Sequence, residues 1–499
     1  MPIRITGLNS GLDTEQIISA LVSSYNYKTE KYQKAQTKLS WKQDAWKDLN
    51  TKIYSLYKNV GNLKFSSAYN MKTATVSDST KISVTAGSDA VNGSFSVQVT
   101  KLAKAGYMTG AEIAKTDGTA ATSSTTLAEL GYTGGDGTIS VNGKDIAISG
   151  DTKISDVIVK MKEAGVNASF DAKNGRIFVS SKKTGEANDF TLTGIDTIGT
   201  AALETLGLGA SANRIAASNA KIFVNGAEFT SESNTFAING MTITATGVTA
   251  TDEANMTDAT AVNVTVNTDV QGIYDKIKDF LTQYNSIINE MTSLYNASSA
   301  KGYEPLTDDE KEAMSDTEVE KWEKKIKDSL LRRDDTLSGL INSMTSAMSK
   351  GIKVDGENYY LSDFGIMTLG YLNAPKNEQN AYHIDGDEDD VNTSGKADKL
   401  MKALAEDPDT VMEFMQGLAK NLYDAVDSKM RGTSLSSVYT VYNDKEMASE
   451  YSDYTSMITK WQERLEQQEE YYYQKFAAME TALSKLNSQT SSLSGLFGN

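Results

Sequence analysis

The sequence predicts an α+β multidomain fold: a helical coiled-coil or bundle stalk built from both termini, with nested β-rich head domains inserted between them. Three observations carry this. Residues 32–63 hold apolar side chains at a seven-residue period, with Tyr32, Leu39, Trp46, Ile53 and Val60 on one line and Ala35, Leu49, Leu56 and Leu63 on the other. Only Lys42 breaks the pattern, which marks a helix packed along its length against partner helices. The far end of the chain supplies a mate: Tyr451, Ile458, Leu465, Tyr472, Met479 and Leu486 against Tyr454, Trp461 and Ala482. Between the two, from about residue 72 to 266, the period drops to two, and five Asn-Gly dipeptides punctuate the strand-like runs.

At 499 residues the chain has room for several domains. A formal charge of −17 argues against nucleic acid and anionic membranes, which need a basic face. There is no cysteine and one histidine, His383, so thiol chemistry, Ser-His-Asp triads and Cys- or His-rich metal sites are not expected. No run of about eighteen apolar residues is present. The Met1-Pro2-Ile3-Arg4 start lacks a long apolar stretch, so no conventional signal peptide is expected.

At the N-terminus, Asp13 or Thr14 caps a short helix whose apolar face is Ile17, Ile18, Leu21 and Val22. That face is too apolar to remain in water alone; it docks on the body or orders when a partner arrives. Past residue 70 the strand-like runs begin. An Asn92-Gly93 hairpin is expected between the runs around Val84 and Val97. The block contains a repeat, in which residues 139–146 (ISVNGKDI) match 222–229 (IFVNGAEF). Ile154, Val157, Ile158 and Met161 make a short helix that Gly165 ends. A third heptad helix follows, with Ile273, Phe280, Ile287 and Leu294 beside Ile277, Tyr284 and Met291. Its neighbouring positions Tyr274, Leu281, Ile288 and Tyr295 are apolar too, a breadth that points to contacts with more than one partner. Helices are expected again from 300 to 440, with a small strand pair at 359–372 and a solvated loop at 376–396 that holds His383. Asp407-Pro408 opens a helix through Val411, Phe414 and Leu418. Residues 488–499 read as a flexible tail with an apolar hook, Leu493, Leu496 and Phe497.

The expected domains are therefore 1–45, an N-terminal leg, partly disordered and partly helical; 46–71 with 268–440, a helical leg domain; 72–105 with 217–267, a β-rich head domain; 106–216, a nested outer head domain; and 441–499, a C-terminal helical leg with its tail.

Chemistry is hard to find. A phosphate loop fails on spacing, because Lys144 is followed by Asp145. The run Asp385, Asp387, Asp389, Asp390 misses the glycine and glutamate of a calcium loop, which would fall at Asp390 and Lys396. Trp41, Trp46 and Trp461 sit on the stalk helices as packing groups rather than ligand platforms. No catalytic, cofactor-binding or metal residue is assigned, and no cofactor is expected.

Several motifs in order resemble one family, the flagellar hook-associated protein 2 or filament cap family. They are the run 5–14 (ITGLNSGLDT) followed by Ile17, Ile18 and Leu21; the run 280–288 (FLTQYNSII); 304–311 (EPLTDDEK) with Trp322 and 330–334 (LLRRD); 361–366 (LSDFGI); and 473–480 (YQKFAAME). The segment 376–396 is longer and more acidic than the family pattern.

The resemblance implies a secreted, extracellular, non-enzymatic protein at the distal tip of the bacterial flagellum. It implies a homo-oligomeric ring of about five copies that promotes the folding and insertion of exported flagellin. Its implied partners are flagellin, other copies of itself, the hook-associated junction proteins, a cytoplasmic export chaperone at the C-terminus, and host mucin. The termini, Ile5, Leu8, Leu12, Ile17, Ile18, Leu21, Leu493, Leu496 and Phe497, would engage flagellin. Leg packing or oligomer contacts would fall to Tyr32, Leu39, Trp46, Ile53, Tyr284, Ile288, Trp461, Leu465, Tyr472, Phe476 and Met479. The alternatives are a hook-filament junction protein, a surface adhesin and, last, a secreted hydrolase.

Overall fold

The computed structural model describes residues 10–497, and the side chains of 10–493. The chain divides into two compact units: one runs up to Tyr69 and resumes at Val270, and the other is Asn70–Asp269. The first unit opens with helix α1 (Thr14–Leu63), 50 residues long. The Asp13 carboxylate caps it by accepting from the Gln16 N–H at 3.0 Å. The expected short helix and the heptad helix are thus one rod of ~75 Å. No break separates residues 1–45 from 46–71, because nothing between Thr14 and Leu63 forces one: there is no proline, and the only glycine, Gly61, lies in the last turn.

The second unit is all antiparallel. Its first part contributes strands β1 (Lys72–Val76), β2 (Ile82–Ala86) and β3 (Gly93–Lys101), then β4 (Tyr107–Thr109). There follow β5 (Gly137–Val141), β6 (Lys144–Ile148), helix α2 (Ile154–Glu163), β7 (Val166–Asp171), β8 (Arg176–Ser181), β9 (Leu192–Gly194), helix α3 (Thr197–Thr205) and β10 (Asn213–Ile215). The chain then adds β11 (Ala220–Val224), β12 (Ala227–Ser231), β13 (Thr235–Ile238), β14 (Met241–Ala245) and β15 (Val262–Thr268).

Two apolar cores result. One joins Ile82, Val97 and Val99 to Ile222, Ile243 and Val264 under the sheets β1-β15-β3-β11-β12 and β13-β14-β2. The other gathers Leu127, Ile139, Ile154, Met161, Ile177 and Leu206 under β10-β4-β8-β7 and β6-β5-β9. The two repeat copies are the β5–β6 and β11–β12 hairpins, with Asn142 and Asn225 at φ 50° and 48° ahead of Gly143 and Gly226 at 76° and 81°. Positive φ at both turn positions matches the strand twist, which is why Asn-Gly recurs. The Asn92-Gly93 expectation fails: β2 pairs with β14, while β3 pairs with β15 and β11. Local turn chemistry there yields to long-range sheet pairing.

The chain re-enters the first unit through α4 (Val270–Tyr295), α5 (Asp308–Glu312), α6 (Asp316–Lys327) and α7 (Asp335–Met348). Two short hairpin strands, β16 (Ile352–Val354) and β17 (Glu357–Tyr359), precede β18 (Ile366–Thr368) and β19 (Tyr382–Ile384). Helices α8 (Lys399–Glu406), α9 (Pro408–Met430) and α10 (Asp444–Phe497) complete it. Asp407 caps α9 directly before Pro408, as its sequence predicts.

Three expectations are corrected here. The strand pair expected within 359–372 is instead β16–β17 and β18–β19, so a strand lies inside the presumed loop 376–396. His383 is therefore not a solvated surface group: it pairs across to Met367, and its Nδ1 lies 2.5 Å from Asp390 Oδ2. Finally, the expected flexible tail is helical, since α10 continues to Phe497 and Ser and Thr side chains there bond back to carbonyls four residues earlier, as Thr490 does to Leu486.

Candidate functional site

Helices α1 and α10 run antiparallel. Tyr25 meets Trp461 (ring centroids 6.2 Å), Tyr32 meets Tyr454 (6.3 Å) and Trp46 stacks on Tyr442 (5.4 Å), so partner numbers fall as α1 numbers rise. Gln36 Nε2 donates to Thr455 Oγ1 at 2.7 Å between them. The Lys28 ammonium lies 4.2 Å from the centroid of the Trp461 ring, a cation–π contact on the flank. At the outer end, Ser10 donates through its N–H and its hydroxyl to the Glu480 carboxylate, which is buried.

The seam changes character along its length. From Leu39 to Leu63, where α1 passes beyond the start of α10 and packs on α9 and α4, it is apolar and deeply buried: Trp46, Leu49, Ile53, Leu56 and Val60 are at most 3 % exposed. Lys42, the one break, turns aside to Asp334 at 2.9 Å. Toward the N-terminus the buried set is Thr29, Val22, Ile18 and Thr14, two of them polar. Less apolar area is removed from water per turn there, so that end of the pair is held more weakly.

Each candidate residue takes its place on this frame. Ile5 and Leu8, and the side chains of Leu496 and Phe497, lie outside the described residues. Ile18 is buried in the seam, Ile17 is half-buried, and Leu12, Leu21 and Leu493 are exposed. Helical phase explains Leu21: the seam steps Ile18, Val22, Tyr25, Thr29, and Leu21 falls on its flank. Leu39, Trp46 and Ile53 are buried, whereas Tyr32, Trp461, Leu465, Tyr472, Phe476 and Met479 are half-buried along the pair.

Tyr284 and Ile288 are fully buried within their own unit. The breadth of the α4 stripe is thus consumed by α1, α7, α8 and β19 of the same chain and does not argue for assembly. Burial pushes the Tyr284 phenol above the usual tyrosine range.

Some anchoring groups gave no periodic signal. Asn50 clamps the segment before α10, donating to Tyr439 O at 3.2 Å and accepting from Val441 N at 2.9 Å. Tyr57 Oη lies 2.7 Å from Tyr423 Oη and donates to Asp427 at 2.9 Å. Nor does the acidic run make a cation site. Asp387 and Asp389 hold Lys278 at 2.7 and 2.6 Å, and Asp385 holds Lys396 at 2.8 Å. These carboxylates, Asp387 foremost, keep the Lys278 ammonium above the usual lysine range. Among the described residues, no group of three or more His, Cys, Asp or Glu is arranged to hold a metal ion.

The sequence also matches known proteins. The sequence profile of the flagellar hook-associated protein 2 C-terminus matches residues 217–488, and that of its N-terminus matches residues 10–106. A flagellar hook-associated protein 2 from Halalkalibacterium halodurans is 24 % identical over 562 aligned residues, covering 99 % of this chain and 100 % of that protein. One from Thermotoga maritima is 26 % identical, covering 72 % of this chain and 54 % of that protein. A crystal structure of the D1-D2-D3 domains of the flagellar cap protein from Escherichia coli is 20 % identical, with a TM-score of 0.49, and covers 77 % of this chain and 97 % of that one. With the C-terminal profile alone spanning more than half its length, the chain belongs to the flagellar hook-associated protein 2 family, the cap proteins of the flagellar filament.

Proposed function

We propose that several copies of this chain sit at the distal end of the flagellar filament, outside the cell, and promote folding and insertion of arriving flagellin without bond chemistry. The observation that supports this is the graded burial of α1: its inner half is locked in an apolar seam against α4 and α9, while its outer half, paired with α10, is weakly held and flanked by exposed Leu12 and Leu21. A helix pair that opens from its outer end can change partners repeatedly as subunits are added, which a deep lock cannot. Flagellin is the partner proposed for that end. No observation favours the junction-protein or adhesin readings over this one.

The test is genetic. In cells lacking the chain, flagellin should accumulate unpolymerised in the medium, and supplying the intact chain should restore filaments of normal length. Normal filaments in its absence would overturn the proposal.

A further inference from the structure

Four tyrosines of the first unit form a chain of rings that leads from solvent into the packed root of α1. Tyr439 is 52 % exposed and sits in the left-handed region at φ 64°, which a bulky residue rarely occupies. Its N–H donates to Met430 O at 2.8 Å, and its carbonyl accepts from Asn50 Nδ2 at 3.2 Å. Held this way, its ring lies against two others, with centroids 5.5 Å from Tyr54 and 6.4 Å from Tyr57. Tyr54 and Tyr57 are themselves 6.1 Å apart. The chain of rings ends at Tyr423, which stacks on Tyr57 at 4.6 Å and 18°. Spacings of this size are ring contacts, across which an electron hops readily.

The terminal pair is arranged for loss of hydrogen. Tyr57 donates to Asp427 Oδ1 at 2.9 Å, so its Oη, 2.7 Å from Tyr423 Oη, accepts the Tyr423 hydroxyl hydrogen. Arg431 fixes the other oxygen of Asp427 at 3.1 Å. Burial above all, with the hydrogen bonds to Tyr423 and Asp427, holds the Tyr57 phenol above the usual tyrosine range. That phenol gives up its proton only together with an electron, and Asp427 is placed to take the proton. Gly61, the only glycine of α1, admits the Tyr423 ring: a Cβ there would lie 3.2 Å from Tyr423 Cε2. The chain has no cysteine, so no disulfide can join α1 to α9.

We propose that Tyr57 and Tyr423 are an oxidative cross-linking site, at which a peroxide-driven one-electron oxidant joins α1 to α9 by a carbon–carbon bond between the two rings. The oxidant takes a hydrogen atom from exposed Tyr439. The radical passes inward as Tyr57 returns an electron and loses its proton to Asp427, which releases it to water, while Tyr439 regains a proton from water. A second oxidation removes the hydroxyl hydrogen of Tyr423. The two phenoxyl radicals couple at ring carbons beside their oxygens, and the two displaced ring hydrogens move to those oxygens, restoring both phenols. In all, two hydrogen atoms leave the protein and reduce one hydrogen peroxide to two water molecules. The bond ties the root of α1 and leaves its outer half free, a modification that goes beyond the capping reading.

The test treats the full chain with hydrogen peroxide and a haem peroxidase. Peptide mapping of the monomer fraction should show the peptide holding Tyr57 joined to the one holding Tyr423, lighter by two hydrogen atoms, in a yield that dilution does not change. The linked chain should melt about 5 °C higher, because the bond removes conformations from the unfolded state. Tyr439→Phe keeps the ring but has no hydroxyl hydrogen to lose; it should leave the melting temperature of the untreated chain unchanged and slow formation of this link roughly tenfold. Tyr423→Phe should abolish the link while circular dichroism still reports a folded chain. Joined tyrosines elsewhere without a Tyr57–Tyr423 peptide overturn the proposal. So does a yield that falls with dilution, which would place the link between chains, and so does an unchanged rate in Tyr439→Phe.

Discussion

The Trp46 indole and the Tyr442 phenol ring stack 9° from parallel, with centroids 5.4 Å apart. Trp46 is 2 % exposed and sits where the α10 partner first meets α1, so this pair fixes the root of the stalk. Trp46→Ala removes a large buried ring and leaves a cavity, which should cost about 3–5 kcal/mol. Denaturant unfolding of the full chain, followed by fluorescence and by circular dichroism, should show the first unit melting early. An unchanged transition would remove Trp46 from that role.

Away from that root the helix pair should loosen progressively. Amide hydrogen exchange should be slow across 39–63, where Leu49, Ile53 and Val60 are buried, and faster across 14–36 and 455–480, where Thr14 and Thr29 interrupt the seam. Uniform protection along α1 would contradict this gradient.

Acid should weaken the first unit through Asp390. Burial opposes ionisation of this carboxyl, but hydrogen bonds from His383 and from Asn392 outweigh it and hold the group below the usual aspartate range. A depressed folded-state value contributes stability above the unfolded value of about 3.9, and that contribution is lost as pH falls through the depressed value. Asp390→Asn should lower the melting temperature at pH 7 and flatten its decline below about pH 4. A parallel decline in both proteins would exclude Asp390 from the acid response.

Excision should separate the two cores of the second unit. Lys104 and Ser218 exchange backbone hydrogen bonds of 2.9 and 3.0 Å, so the chain enters and leaves residues 106–216 at one point. Replacing 106–216 by a short glycine linker should leave the Ile222 and Val264 core folded, and the excised segment should fold alone around Leu127 and Ile154. Loss of strand signal from both pieces would show one inseparable core.

Leu12 and Leu21 face solvent, so Leu12→Ser with Leu21→Ser should leave the melting temperature within about 1 °C while abolishing filament growth. Normal filaments would sever the terminal leucines from partner binding.

Much of the fold was legible because its signals are periodic. Residues such as Leu39, Ile53 and Ile277 announce buried helix faces by spacing alone, and Asn142-Gly143 and Asn225-Gly226 announce hairpins by backbone sterics. What was missed depends on distant partners. The strand Tyr382–Ile384 is three residues long and takes its identity from Ile366–Thr368, and His383 is enclosed only once that pairing exists. Asn50 clamps Tyr439 and Val441, almost four hundred positions away, and nothing local marks it. The breadth of the α4 stripe signals more than one partner, but sequence cannot say whether a wide apolar face meets the chain's own helices, as it does here, or another copy's.

Immunogold electron microscopy of whole cells tests the capping claim most directly, with antibody raised against residues 72–266. Gold confined to the distal tips of filaments is the expected result. Gold at the filament base or along its length, or on the cell away from flagella, would contradict it.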